Sequence, residues 1–502
     1  MAAVDTPRET RSYGNWRRPR SPGLGALGML GTMMMLAGLI VVILVVAVAG
    51  LVVGAVVGAV IGLALTTLIL PDRYGKTLLQ RLGMRGGWVR AKASGSHLYR
   101  SGPLGRTPWG RFQLPGLSAQ SQLSEATDSY GRPFALLEVP ATGHYTVVFA
   151  TEPDGASLVD EEQLDSWVAH WGNWLASLAD EPGLAATSVT VETAPDSGAR
   201  LQREVLGHMD NGAPLAAKAM LREVVDTYPE GSATIRAWVA LTFRAAVSGK
   251  RRGRDEMARL LAARLPALGQ RLGSTGAGAA RPVTAQQLCE LVRIAYDPQA
   301  AELFDAAYSA GDVPALAWDD VGPAATEAGW ADYRHDNARS VTWSMTAAPR
   351  GEVQSSVLYQ LLAPHADIAR KRVTLLYRPL DSADAARIVE QDKRVADFRA
   401  TSSKRPSARI QAEQRAAAAT TKEEAKGAGL VNFGLVVTAT VDGDGSKQGP
   451  DAEAAVDNLA ATARIQLRRV YGSQDSAFAA ALPLGLVLPS HLNVPEEIRA
   501  TL

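Results

Sequence analysis

Residues 24–70 read LGALGMLGTMMMLAGLIVVILVVAVAGLVVGAVVGAVIGLALTTLIL, and no charged side chain interrupts the run from Leu24 to Leu70. A helix that crosses a bilayer needs about 20 apolar residues. The stretch accommodates two, placed near Leu27–Val46 and Gly50–Leu70 and joined by a very tight turn. Pro22 lies just before the first, and Pro71 ends the second, because proline cannot continue helical hydrogen bonding. A signal sequence has an apolar core of about 7–15 residues, far shorter than this run. One long span with an interfacial segment is the competing reading, since no polar turn divides the stretch.

Basic residues flank the run on both sides. Arg8, Arg11, Arg17, Arg18 and Arg20 precede it; Arg73, Lys76, Arg81, Arg85, Arg90 and Lys92 follow. Basic flanks stay on the cytoplasmic side. Arg17, Arg18, Arg20, Arg73 and Lys76 therefore set a topology with both termini cytoplasmic, which requires an even number of spans. Trp16 and Tyr74 suit interface anchoring, and the basic flanks suit anionic headgroups. Gly50, Gly54, Gly58 and Gly62 recur at every fourth position and line one helix face. Small residues there let a second helix approach closely. That helix is either the first span or one from a partner subunit.

The chain has 502 residues, too many for one compact core, so two or three domains are expected. Its 52 basic and 51 acidic residues are unevenly spread. The first hundred residues hold 12 and 3, leaving the rest with 40 against 48. A mildly acidic remainder argues against direct nucleic-acid binding, which calls for a basic face. The single cysteine, Cys289, cannot form an internal disulfide or a Cys-rich zinc site. It reads as a small buried hydrophobe on a helix over Val283–Ile294.

Beyond the membrane segment, residues 71–130 read as a basic Gly- and Ser-rich connector with little periodicity. Phe134–Val139 and Tyr145–Ala150 read as a strand hairpin. Asp160–Leu178 is an amphipathic helix with Leu164, Trp167, Val168, Trp171, Trp174, Leu175 and Leu178 at helical spacing. Its tryptophan stripe either packs on a sheet or docks a partner. Ala186–Thr193 and Ala233–Thr242 read as strands, and Leu215–Tyr228 as a helix. This order gives an antiparallel sheet with helices on one face, over 131–245. A helical segment over 246–335 follows, with Gly273–Pro282 as a linker. A second α/β unit spans 336–502. Its strands are Val341–Met345, Arg372–Tyr377, Val431–Val441 and Ile465–Val470. Two helices lie within Ala385–Ala425, split by Pro406, and two more at Ala452–Ala463 and Ser476–Leu482. The two units look like diverged copies of one theme, without a clear sequence repeat. The fold class is α+β: a basic tail over 1–23, a two-helix transmembrane hairpin over 24–70, then cytoplasmic α/β units with antiparallel sheets and a helical middle.

Chemistry-bearing motifs do not assemble. A phosphate loop needs GxxxxGK[ST]. At Tyr74–Thr77 the first glycine of that pattern would fall at Leu70, and Ser248–Arg251 lacks both ends. Lys250–Arg254 (KRRGR) reads as a solvated loop. The seven histidines show no metal-ligand spacing, and there is no GxSxG elbow. Asp442–Lys447 (DGDGSK) lacks the pattern of a calcium loop and reads as a turn. No catalytic, cofactor or metal residue is expected.

The stretch TRSYGNWRRPRSPGLGALGMLGT, followed by a membrane hairpin, resembles the PrgI-like inner-membrane subunits of type IV secretion and conjugation systems. GLVVTATV, a helix and RRVYGSQDSAFAAALPLG resemble the non-motor region of conjugative secretion ATPases. As a whole, the chain resembles the actinobacterial integral membrane proteins of conjugation-type secretion clusters. The EccE subunits of type VII secretion share its plan and are the runner-up. The resemblance carries no catalytic residue. It implies a non-enzymatic platform in the cell membrane, with the lipid bilayer, other membrane subunits and a separate secretion ATPase as partners. A membrane-tethered enzyme is the remaining alternative; it would need a cleft with perturbed titratable groups.

Overall fold

The computed structural model describes residues 13, 14, 16, 28–69, 76–102, 105, 111–153, 155, 159–196, 198–227, 233–247, 249–349, 351–402 and 407–492. Three helices come first: α1 (Gly28–Ala49), α2 (Leu51–Ile69) and α3 (Leu78–Ala93). Next come β1 (Leu98–Arg100), β2 (Gln122–Thr127), β3 (Pro133–Val139), β4 (His144–Thr151), α4 (Glu161–Ala179) and β5 (Leu184–Pro195). Helices α5 (Ala199–Gly207) and α6 (Leu215–Thr227) lead to β6 (Ala233–Arg244), then a small β7–β8 pair (Ala246–Val247, Lys250–Arg251). Then α7 (Arg254–Leu272), β9 (Arg281–Pro282), α8 (Ala285–Tyr296) and α9 (Ala300–Ser309) follow. The second half holds β10 (Ala325–Ala328), β11 (Tyr333–His335), β12 (Ala338–Ala347), α10 (Tyr359–Leu362) and β13 (Arg370–Pro379). It ends with α11 (Ser382–Ser402), α12 (Ala408–Glu424), β14 (Val431–Asp442), α13 (Gly449–Thr462), β15 (Gln466–Arg469) and α14 (Gln474–Ala481).

The fold is mixed α+β, and the two expected units share one antiparallel sheet. Its strand order is β1-β10-β11-β12-β14-β13-β5-β6-β4-β3-β2, with β9 beside β4 and β15 beside β12. The two halves have the same topology. In each, three consecutive strands form a meander (β2-β3-β4; β10-β11-β12). A fourth strand lies apart (β5; β13), and a fifth returns between it and the third (β6; β14). A helical pair joins the fourth strand to the fifth (α5–α6; α11–α12), and each half closes with helix, short strand, helix (α7-β9-α8; α13-β15-α14). The registers also repeat. Thr146 pairs with Thr242, and Thr342 with Thr438, each 196 positions later. Both pairs join hydroxyl to hydroxyl, at 3.1 and 2.9 Å. The halves meet where β5 pairs antiparallel with β13, Val189 opposite Leu375. A pseudo-two-fold axis, perpendicular to the sheet, passes through that pair.

Both faces of the sheet are buried. On one, Phe134, Leu136, Val147, Phe149, Leu241 and Phe243 pack under α4 and α7. In the second half Val341, Trp343 and Val437 pack under α13. On the opposite face α8 and α14 cover Leu137, Val148 and Ala240. The expectation of helices on one face is thus corrected. The run FALLEV has neighbouring leucines, Leu136 and Leu137, that point to opposite faces, so each face must be covered. The tryptophan stripe is a packing face. Trp174 is buried, Trp171 stacks on it at 4.9 Å and meets Tyr377 edge-on at 5.9 Å.

Other boundaries shift. The connector over 71–130 contains α3, β1 and β2, and β10–β11 move the start of the second half ahead of residue 336. Gly273–Pro282 is not a free linker. Gly276, at φ +77°, lies flat against the Trp167 indole, where a Cβ would collide, and β9 pairs with β4. The two helices expected within Ala385–Ala425 are α11 and α12, and Pro406 lies outside the described residues.

Candidate functional site

The apolar helices and their junction with the sheet form the most distinctive region. Gly50, at φ +86°, reverses the chain in a single residue between α1 and α2, a conformation glycine reaches without a Cβ penalty. The helices then run antiparallel. Gly38 faces Ile61 and Leu65, Gly58 faces Val42, and Gly54 lies so close to Val46 that a Cβ would collide with it. The four-residue stripe therefore divides. Gly54 and Gly58 bring the two helices together, Gly50 makes the turn, and Gly62 is exposed with nothing within 4 Å of its Cβ position. Gly38 belongs to the contact and escaped the sequence reading, because only the second helix carries a regular glycine spacing.

The outer surface of the pair is aliphatic. Leu36, Ile40, Ile43 and Leu44 on α1 are each at least half exposed, as are Val52, Val56 and Leu63 on α2. Contiguous apolar surface on this scale marks an interaction with lipid or protein. Gly31–Ala49 is long and apolar enough to cross a membrane; Leu51–Thr66 is apolar and shorter.

Both ends of this pair return to the sheet. Before α1, Tyr13 exchanges two backbone hydrogen bonds with Val353, each 2.8 Å. The Tyr13 hydroxyl donates to Asp165 at 2.8 Å. Trp16 meets Phe433 edge-on at 5.2 Å on the sheet's end and stays 42% exposed. After α2, Thr77 caps α3 in a reciprocal box with Gln80. Trp88 of α3 packs edge-on against Trp330 at 5.5 Å, and Trp330 stacks on Tyr471 at 5.7 Å. Gly472 fits beneath Trp330. Lys76 has its pKa lowered by burial and by nearby Arg468. Arg17, Arg18, Arg20, Arg73 and Tyr74 lie outside the described residues.

Elsewhere, several groups able to do chemistry are tied into the structure, while buried His144 Nδ1 and Ser188 Oγ have no hydrogen-bond partner. His335 Nδ1 lies 2.6 Å from the Tyr296 carbonyl, and Nε2 lies 2.8 Å from the Ser340 hydroxyl, which also bonds Thr440 at 2.8 Å. The carbonyl requires Nδ1–H, so neutral His335 accepts from Ser340 at Nε2. This has the spacing of a nucleophile and base. Yet Ser340 and His335 are at most 1% exposed, closed in by Tyr296, Tyr333 and Phe478. Burial pushes the His335 pKa down to about 4 and the Cys289 thiol up to about 12. Lys371 is buried and bonds the Ala363 carbonyl. In the KRRGR run, Lys250 and Arg252 pair with Glu256, and Arg254 with Glu138. The two best-defined depressions among the described residues have cavity volumes of about 20 and 10 Å³, room for about one water each. Ligand pockets measure roughly 300–1,000 Å³. Among the described residues, no group of three or more His, Cys, Asp or Glu could hold a metal ion.

A family model described as a domain of unknown function (DUF8461) matches residues 20–80, which take in α1, α2 and the start of α3. No curated protein matches the chain.

Proposed function

We propose that this chain is a non-enzymatic structural component of the cell membrane. A two-helix transmembrane hairpin, α1–α2, holds a cytoplasmic body that serves as a platform for a separate secretion or conjugation ATPase. One observation carries the membrane part of the reading: the residues before α1 and after α2 rest on the same folded body. Tyr13 and Trp16 pack at the Val353 and Phe433 end, and α3 packs through Trp88 on Trp330, which stacks on Tyr471. If α1 enters a bilayer, α2 must bring the chain back to the side it left. The aliphatic outer surface suits a lipid surrounding, and the basic flanks suit the cytoplasmic side.

The platform role rests on the sequence resemblance and on the burial of the His335–Ser340 pair, Cys289 and Lys371. It is tested by gentle-detergent purification of the tagged full chain, followed by mass spectrometry. Recovery of a P-loop ATPase with other membrane subunits is expected, and the kind of ATPase assigns a type IV or type VII system. A stable protein recovered alone would overturn the platform reading in favour of a tethered enzyme.

A further inference from the structure

We infer that α3 is an interfacial helix that binds the anionic headgroup surface of the membrane through an exposed apolar stripe edged by arginines. This deepens the membrane reading above and rests on α1–α2 crossing a bilayer. From Arg73 to Ser124 the sequence contains no Asp or Glu, while Lys or Arg occurs nine times. Within this stretch α3 has two faces. Arg81, Met84, Trp88 and Ala91 recur at three- and four-residue spacing and turn toward the body, all partly buried. On the other side Leu78, Leu82 and Val89 form a second stripe and are 39%, 51% and 59% exposed.

Advancing about 100° per residue from Leu82, Leu78 and Val89 fall within about 40° of it. Arg85 lies near 60° on one side, and Arg90 near 80° on the other. Both arginines are exposed. Apolar side chains between cations, on a helix already docked by its opposite face, match a helix lying in the plane of a headgroup layer. Continuity supports the same occupant. Only 70–77 separate α3 from the end of α2, and the two helices touch. A protein partner would meet the same stripe, but the charge favours anionic lipid, at about fivefold in binding for each basic residue near the surface.

The test uses the full chain reconstituted in phosphatidylcholine vesicles with and without phosphatidylglycerol. Cys289 is buried and its thiol is held protonated, so an introduced cysteine takes the label. A fluorophore at Leu82→Cys should be quenched by lipid-borne quenchers and shielded from aqueous ones when phosphatidylglycerol is present. Adding Arg85→Gln and Arg90→Gln should return it to water, as should high salt. Leu51→Cys, at the turn, is the control and should be labelled only from the opposite side of the membrane. If it is, and Leu82→Cys stays equally open to aqueous quencher in both vesicles, the lipid-binding inference falls while the hairpin stands. If Leu51→Cys is reached from the same side as Leu82→Cys, the hairpin reading falls and takes this inference with it.

Discussion

Glu192 sits where the two halves of the sheet join, held by two guanidiniums from the neighbouring strand. Arg370 donates to it at 2.7 Å and Arg372 Nε at 2.9 Å, and the carboxylate is 8% exposed. Burial alone would raise its pKa, but Arg372 and Arg370 outweigh burial and hold it below the usual carboxylate value. Removing one member of a buried ion pair costs about 3–5 kcal/mol, because the remaining charge stays desolvated. Here Glu192→Gln would strand two cations, so a loss at the upper end of that range is expected in denaturant unfolding of the full chain in detergent. The same carboxylate contributes stability above its unfolded pKa, about 4.3, and loses it as pH falls through the lower folded value. His335 acts in a higher window. Unfolded histidine binds a proton at about 6.5, and the folded pKa is about 4. Between these values unfolding takes up a proton, so stability falls as pH falls, by up to about 3 kcal/mol. His144, also lowered to about 4 by burial, adds to the slope. His335→Gln should reduce the dependence between pH 6.5 and 4 to the part His144 carries, and leave the Glu192 step below it. An unchanged slope would mean that His335 is not held neutral.

At the scale of the element, the division of the glycine stripe gives distinct outcomes for like substitutions. Leucine at Gly54 meets the Val46 side chain and part of its backbone, so α1 and α2 must separate. Overpacking of this kind costs about 1–3 kcal/mol. At Gly62 nothing lies within 4 Å of an added Cβ, and the position is exposed. Cysteines at Gly38 and Ile61 should therefore cross-link in the parent chain and beside Gly62→Leu, but not beside Gly54→Leu. On the proposed membrane reading, insertion should survive throughout, since leucine is apolar. Cross-linking that persists with Gly54→Leu would refute close packing of the pair. A loss of co-purifying membrane subunits confined to Gly62→Leu would place a partner on that face. How much of each element could be read in advance follows from its residues. The apolar run of β14 and the tryptophan spacing of α4 are strong periodic signals, and both elements formed where expected. Helix α3 was hidden by Gly83, Gly86 and Gly87, which lower helix propensity. Its capping signature, Thr77 with Gln80 three residues on, was present and is the signal that could have revealed it. Strands β10 and β11 are too short, at four and three residues, to show alternation.

Across the whole molecule the duplicated topology shows why the repeat left so little trace. Val239 and Leu241 of the first half answer to Leu435 and Val437 of the second, interchangeable aliphatic residues under the same kind of helix. The threonine pairs are shared because their hydroxyls need partners on a buried face. The end of α14 and the segment after it supply some of those partners and tie the halves together. The Ala481 carbonyl accepts from Thr374 on β13, and the Gly485 carbonyl accepts from Thr242 on β6, on the far side of the pseudo-two-fold axis. Gly485 has φ +65°, and a Cβ there would strike Thr242 and Thr146. A β-branched residue is strained at such a φ even without the clash. Gly485→Val should therefore lift this segment from the first half, leaving Thr242 without its carbonyl partner and exposing the apolar surface under Leu484 and Leu486. A loss of several kcal/mol is expected from the clash, the strain and the lost Thr242–Gly485 hydrogen bond together. The manner of the loss matters more than its size. With the strap in place, the continuous sheet and the crossing segment should make the halves unfold in one transition. With the strap lifted, the seam keeps the β5–β13 ladder and its ion pair, Trp171 on Tyr377, and Tyr296 against His335 and Phe478, and two transitions should separate in denaturant. A single transition in Gly485→Val, merely shifted, would show that the seam alone couples the halves.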